Sequence, residues 1–214
     1  MEVTAVRNEF KRYVTHGEFV PMFSRLKEYT SNAPFTDEKG KYHVRTVYFG
    51  RKRVRATRSR KLRGEKTEQY FIRYYDQNPE TLRLCKESTY DKRVMMTYTP
   101  ITVEECQAIL NRDFTWMAES EDELLREFYQ KLAVEEYVTK NVIDNDKIAL
   151  ESNVGSVRVG IDINIRTTNR TEDFLEPEIA AVPLDSSRTL VLKVKYDRQL
   201  QEPLRSIVGY GLAR

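Results

Sequence analysis

The sequence predicts an antiparallel α+β fold in which strands outnumber helices. Period-two alternation of apolar and polar residues recurs along most of the chain, and helical spacing is confined to a few short stretches that open on capping signals. Several polar strand faces also carry arginine and lysine two residues apart, or next to a carboxylate at the same spacing. If those faces point inward and the apolar faces meet helices outside, the strands close into a β-barrel with a polar, basic lumen. An ordinary antiparallel α+β domain is the alternative that the pattern leaves open.

The elements follow in chain order. Val3–Val14 places Arg7, Glu9 and Lys11 on one face and Val6 and Phe10 on the other. Glu18–Tyr29 brings Phe19, Phe23, Leu26 and Tyr29 near helical spacing, with Pro21 in its first turn. Strands are expected at Tyr42–Phe49, Glu68–Asp76, Thr81–Glu87 and Arg93–Thr99. Thr102–Leu110 and Ser120–Leu132 read as helices, opening on the capping pairs Thr102/Glu105 and Ser120/Glu123. Glu136–Ile143 reads as a strand, with a short separate one at Lys147–Glu151. In Ser156–Arg166, Val157, Val159, Ile161, Ile163 and Ile165 oppose Arg158, Asp162, Asn164 and Arg166. Thr189–Asp197 repeats the pattern, with Leu190, Leu192, Val194 and Tyr196 opposite Val191, Lys193, Lys195 and Asp197. A last helix is expected from Pro203. Breaks fall at Asn32-Ala33-Pro34, Lys39-Gly40, Gln77-Asn78-Pro79 and Asn153-Val154-Gly155. No linker divides the chain, so residues 1–214 are expected to form one domain.

Composition narrows the function classes. At 40% hydrophobic and 32% charged, the chain is globular and charge-rich rather than disordered. No apolar run approaches the roughly 18 residues of a membrane span, and no secretory signal opens the chain. Cys85 and Cys106 are too few for a disulfide framework, which points to a reducing cytoplasm. With only His16 and His43, a zinc site of the usual kind is not expected. The net charge of +3 conceals a block from Arg51 to Lys66 with nine basic residues and one acid. Arg51, Lys52, Arg53, Arg55, Arg58, Arg60, Lys61 and Arg63 belong to this patch. Such density suits a polyanion or a solvated hairpin, and it supports an alternative reading as a nucleic-acid or protein-interaction module.

A set of ordered segments then resembles a known family. They are Arg7-Asn8-Glu9-Phe10-Lys11, Tyr42 through Phe49, Lys61-Leu62-Arg63-Gly64, Phe71-Ile72-Arg73-Tyr74-Tyr75 and Leu82 through Lys86. Pro100 through Cys106, Val157 through Asp162, and Leu190 through Tyr196 complete the set. In order and spacing they resemble the VTC-type polyphosphate polymerase domain of the triphosphate tunnel metalloenzymes, in its stand-alone bacterial form. The resemblance implies an eight-stranded antiparallel tunnel with helices packed outside. It implies phosphate binding by Lys11, Arg45, Arg73, Arg158, Lys193 and Lys195, and metal binding by Glu9 and Asp162. The implied cofactor is manganese or magnesium if the chain is active, and none otherwise. The implied partners are polyphosphate, ATP or another polyanion, with a membrane-protein partner by family analogy.

The chain departs from the family pattern in one direction. Gln69 and Phe71 stand where the family has lysine and arginine, Cys85 where it has a lumen glutamate, Met96 where it has lysine, and Lys193 where it has a late glutamate. Hard divalent cations want several carboxylate oxygens. A lysine about 4 Å from such a cation costs roughly 4 kcal/mol per unit charge at an effective dielectric near 20. The departures therefore predict a pseudoenzyme-like lumen that binds polyphosphate or a nucleoside triphosphate with catalysis weakened or lost. An active metal-dependent polymerase or triphosphatase with a rebuilt metal site is the other catalytic reading.

Overall fold

The computed structural model describes residues 1–52, 66–152, 156–184 and 190–209. Eight long strands close into an antiparallel barrel, and four α-helices pack outside it among the described residues. We number the barrel strands β1 (Arg7–Val14), β2 (Lys41–Arg51), β3 (Thr67–Tyr75), β4 (Asn78–Tyr90), β5 (Arg93–Pro100), β6 (Tyr137–Ser152), β7 (Val157–Thr168) and β8 (Leu190–Tyr196). The helices are α1 (His16–Lys27), α2 (Val103–Leu110), α3 (Glu123–Ala133) and α4 (Leu204–Ile207). Around the ring the strands run β1, β5, β4, β3, β2, β6, β7, β8 and back to β1. Closure between β1 and β5 rests on two register pairs, Arg7 with Val94 and Asn8 with Arg93. The short strand Glu2–Val3 continues along β5 beside them.

Side-chain alternation sets what faces where. In β7 the row Val157, Val159 and Ile161 points outward, and in β8 so do Leu190, Leu192, Val194 and Tyr196. These meet Met22 and Leu26 of α1 and Leu204 and Ile207 of α4 in one apolar cluster. On the opposite side Tyr70, Ile72 and Tyr74 of β3 and Leu82 and Leu84 of β4 pack against Cys106 and Ile109 of α2. Leu124, Phe128 and Leu132 of α3 complete that second cluster. Burying each such side chain is worth about 1.5–3 kcal/mol, so the helices are held where the strands' apolar rows fall. The expected barrel with apolar faces outside is the architecture observed.

Local signals place most boundaries. Thr15 caps α1: its hydroxyl accepts from the Glu18 amide, and Glu18 in turn accepts from the Thr15 amide. The helix thus begins two residues before the expected Glu18 start, and Pro21 sits in its second turn. Thr102 and Glu105 form the expected capping box on α2. On α3 the cap is Asp122, not Ser120; its carboxylate accepts from the amides of Leu124 and Leu125. The β3–β4 connection turns at Asp76 and Gln77, both at positive φ, one residue earlier than the Gln77-Asn78-Pro79 break.

Strand β6 is the main surprise. The expected pair Glu136–Ile143 and Lys147–Glu151 is one 16-residue strand. The acidic run Asp144-Asn145-Asp146 lies within it, and the bulge at this level is on β7, which spends three residues against its two, with Asn164 at positive φ. Asp144 is carried there in the outer layer, where Arg45 pairs with it at 3.0 Å, His43 Nε2 meets it at 2.8 Å and Arg166 adds a further ion pair. A buried carboxylate matched this closely does not interrupt a ladder.

Candidate anion-binding lumen

The inward rows of the eight strands enclose a cavity of about 650 Å³. Strand β1 contributes Arg7, Glu9 and Lys11, because Phe10 on the alternate row packs outward against the α1 side. Strands β2 and β3 contribute Tyr42 and Tyr48, then Gln69, Phe71, Arg73 and Tyr75. Strands β4 and β5 add Glu87, Val94 and Met96; β6 adds Lys147, Ala149 and Glu151; β7 adds Arg158 and Gly160; β8 adds Lys193 and Lys195. At one level of the wall the register runs Lys193, Gly160, Ala149. The two small residues there leave room for the long lysine side chains around them.

The centre is electrostatically distinct from the rims. The two oxygens of Asp162 each hold a lysine, Lys147 at 3.0 Å and Lys193 at 3.0 Å, and Asn145 donates to the first at 3.4 Å. Burial alone would raise the Asp162 carboxyl, but the two ammonium groups hold it far below the ordinary carboxylate range. Burial pulls Lys147 down to about 8 despite Asp162, and Lys193 and Arg73 push in the same direction. Lys193 is raised, because Asp162 outweighs the cost of its burial. Arg73 makes no ion pair among the described residues. Its Nε donates to the Thr46 hydroxyl at 2.9 Å, and its guanidinium lies 4.6 Å from the centre of the Phe71 ring. Three of the other cations are paired, Lys195 with Glu9 at 3.6 Å, Arg158 with Glu151 at 3.0 Å and Arg7 with Asp197 at 3.3 Å, while Lys11, opposite Lys193 in the register, makes no ion pair among the described residues. Burial pushes the Cys85 thiol up to about 11, so this side chain is a closed, protonated part of the wall.

The residues singled out from the sequence divide accordingly. Lys11, Arg73, Arg158, Lys193, Lys195 and Glu9 all border the one cavity. Asp162 reaches it through its two lysines. Arg45 does not. It lies on the outer row of β2 with Val47 and Phe49, 1% exposed, and donates to Asp144 at 3.0 Å and to the Tyr74 hydroxyl at 2.8 Å. It also donates to the carbonyls of Phe174, Glu176 and Pro177. Its role as a phosphate ligand is therefore corrected: Arg45 ties β2 and β6 to the segment after β7. Of the basic patch, Arg51 pairs with Glu135 at 2.7 Å. Lys52 is exposed, and Arg53, Arg55, Arg58, Arg60, Lys61 and Arg63 lie outside the described residues. The sequence placed Arg7 on the face of Glu9 and Lys11 without naming it as a ligand, and did not name Lys147 or the tyrosines Tyr42, Tyr48 and Tyr75 as lining residues. Reading the β6 alternation straight through the acidic run would have found Lys147.

The donor set does not fit a hard divalent cation. Both oxygens of Asp162 are committed to lysines, Glu9 is paired with Lys195, and Glu87 lines the cavity as a single carboxylate with no ion pair among the described residues. Among the described residues no group of three or more His, Cys, Asp or Glu side chains converges on one point. Such ions take six or more oxygens, several from carboxylates when the protein supplies them. No step is therefore derived through a metal. No helix among the described residues is long and apolar enough to cross a membrane.

Comparison with known proteins agrees with this geometry. The family model for the VTC domain matches residues 6–212. Among solved structures, a candidate adenylate cyclase from Bacillus halodurans superposes with a TM-score of 0.54 at 9% identity, covering 98% of this chain and 88% of that one. At that identity the likeness shows a shared fold. The PH1819 protein from Pyrococcus horikoshii OT3 is more distant, with a TM-score of 0.46 at 10% identity, covering 95% of this chain and 84% of that one. No curated relative matches the sequence.

Proposed function

Since this chain belongs to the VTC domain family, we propose that its barrel binds polyphosphate or the triphosphate of a nucleotide and has lost efficient turnover. One observation carries the reading. Seven arginines and lysines line a single cavity against three lining glutamates, and Asp162 behind them is already claimed by two lysines. Excess positive charge gathered in a partly buried lumen is costly without an anion to balance it, and phosphate oxygens are strong partners for both guanidinium and ammonium groups. Phosphoryl transfer also needs stabilisation of charge on the transferring group and an activated acceptor. Here Phe71, Val94 and Met96 bring apolar groups into the lumen, and Asp162, the carboxylate on the central lysines, is fully committed to them.

Titration calorimetry in low-salt buffer with tripolyphosphate and with long-chain polyphosphate tests the binding. Saturable heat with both anions is the expected result, and no heat with either overturns the reading. Incubation with ATP and manganese tests turnover. The expected result is no phosphate release above buffer, and manganese-dependent release or chain growth would restore the catalytic reading.

A further inference from the structure

The cations of the lumen are unequal in what they have left to offer. Arg7, Arg158 and Lys195 each already hold a carboxylate. In the middle, Lys147 and Lys193 share the single carboxylate of Asp162 and Arg73 holds none among the described residues, which leaves these three with two positive charges beyond their counter-charge; Lys11, opposite Lys193 in the β1–β8 register, also makes no ion pair among the described residues. Lys147 and Lys193 sit on the two oxygens of one carboxylate, and Arg73 lines the same cavity. The side chains of Lys147 and Lys193 are 15% and 29% exposed, so water screens them only partly. Tyr42, Tyr48 and Tyr75 line the same space and carry hydroxyl donors. A phosphate group carries about −1.5 to −2 charge at neutral pH and offers three acceptor oxygens, which matches both the residual charge and the donor types.

We infer that Arg73, Lys147 and Lys193 form a socket for one phosphate group that is filled without a divalent metal, with the Lys193 ammonium supplying the positive charge a metal would otherwise bring. This inference rests on the anion-binding reading above and sharpens it to the metal-free anion. Asp162 then serves as the counter-ion that holds the two lysines in place while the socket is empty. A metal bound to the phosphates has no carboxylate pair to receive it here, and it lowers the charge that the cations recognise. Metal ions should therefore not help binding.

The test is calorimetry of the full chain with tripolyphosphate at matched ionic strength, once with EDTA and once with excess manganese chloride. Binding in EDTA should be at least as tight as in manganese. Lys193→Glu, which turns the socket's cation into a carboxylate, should weaken binding in EDTA by at least about tenfold and make the remainder depend on manganese. Thermal melting checks that this variant folds; should it not, Lys193→Met replaces it, with the same tenfold loss expected in EDTA. Binding by the parent chain that is more than threefold tighter in manganese overturns the metal-free socket and leaves the anion-binding reading standing. Unchanged affinity of a folded Lys193 variant in EDTA overturns the socket as well. No binding in either medium overturns both.

Discussion

Replacing Arg45 by methionine separates its structural role from a ligand role. The side chain and its partner Asp144 are each 1% exposed, with Nε donating to Asp144 at 3.0 Å and the guanidinium also serving the Tyr74 hydroxyl and three backbone carbonyls. Methionine fills similar length but donates nothing, so Asp144 keeps only His43 and Arg166, and the carbonyls of Phe174 and Pro177 lose a donor. Removing one partner from a buried ion pair costs about 3–5 kcal/mol. In a chain of 150–250 residues each kcal/mol lowers the melting temperature by about 2–4 °C, so a fall of roughly 6–20 °C is expected. Differential scanning calorimetry measures it. Affinity for tripolyphosphate, measured by titration well below the lowered melting point, should stay within about threefold of the parent, since Arg45 faces away from the lumen. A melting point lowered by less than 2 °C, or a tenfold loss of affinity in a folded variant, would refute the assignment.

Burial would raise the Asp144 carboxyl, but His43 and Arg45 hold it far below the ordinary range. Its stabilisation is thus complete above the unfolded pKa near 3.9 and lost as pH falls from there toward the depressed folded value; urea midpoints should drop below about pH 4, and less steeply in Asp144→Asn. Burial pushes the thiols of Cys85 and Cys106 up, to about 11 and about 12. Neither should react with Ellman's reagent at pH 8 in the folded chain, while denaturant should release two thiols; rapid native labelling would contradict the enclosed wall. Thr15→Ala removes one half of the α1 capping box and should cost about 1 kcal/mol, read as a melting point lower by roughly 2–4 °C.

What the sequence made legible was whatever depends on neighbours within a strand or a turn of helix. The β7 and β8 rows could be read because every second residue is aliphatic, and that parity alone assigns Lys193, Lys195 and Arg158 to the inner face. Strand β2 could not be read this way. His43, Arg45, Val47 and Phe49 form one row and Tyr42, Val44, Thr46 and Tyr48 the other, and each mixes polar with apolar groups. What sends Arg45 outward is an acid 99 residues away and carbonyls about 130 residues away, which no local pattern encodes. The same distance problem hid Lys147. Its strand looked broken because three acidic or amide residues intervene, and only the outer-layer cations explain why the ladder runs on through them. The α3 cap shows the smaller error: Ser120 and Asp122 are both good caps, and the 3₁₀ turn at Thr115–Glu119 decides between them by carrying the chain past Ser120.

The two apolar clusters lie on opposite outer sides of the barrel, and the lumen between them holds mostly charged and phenolic groups. Folding energy and ligand chemistry are thereby assigned to different atoms of the same strands. An odd-numbered residue of β8 such as Lys193 can be exchanged between acid and base while Leu192 and Val194 on either side keep their contacts with the outer layer. For an engineer, this means the inner rows can be rewritten for other anions with the strand scaffold as a fixed host. It also means that loss of a reaction leaves little mark on thermal stability, so a well-folded sample is no assurance of an active one.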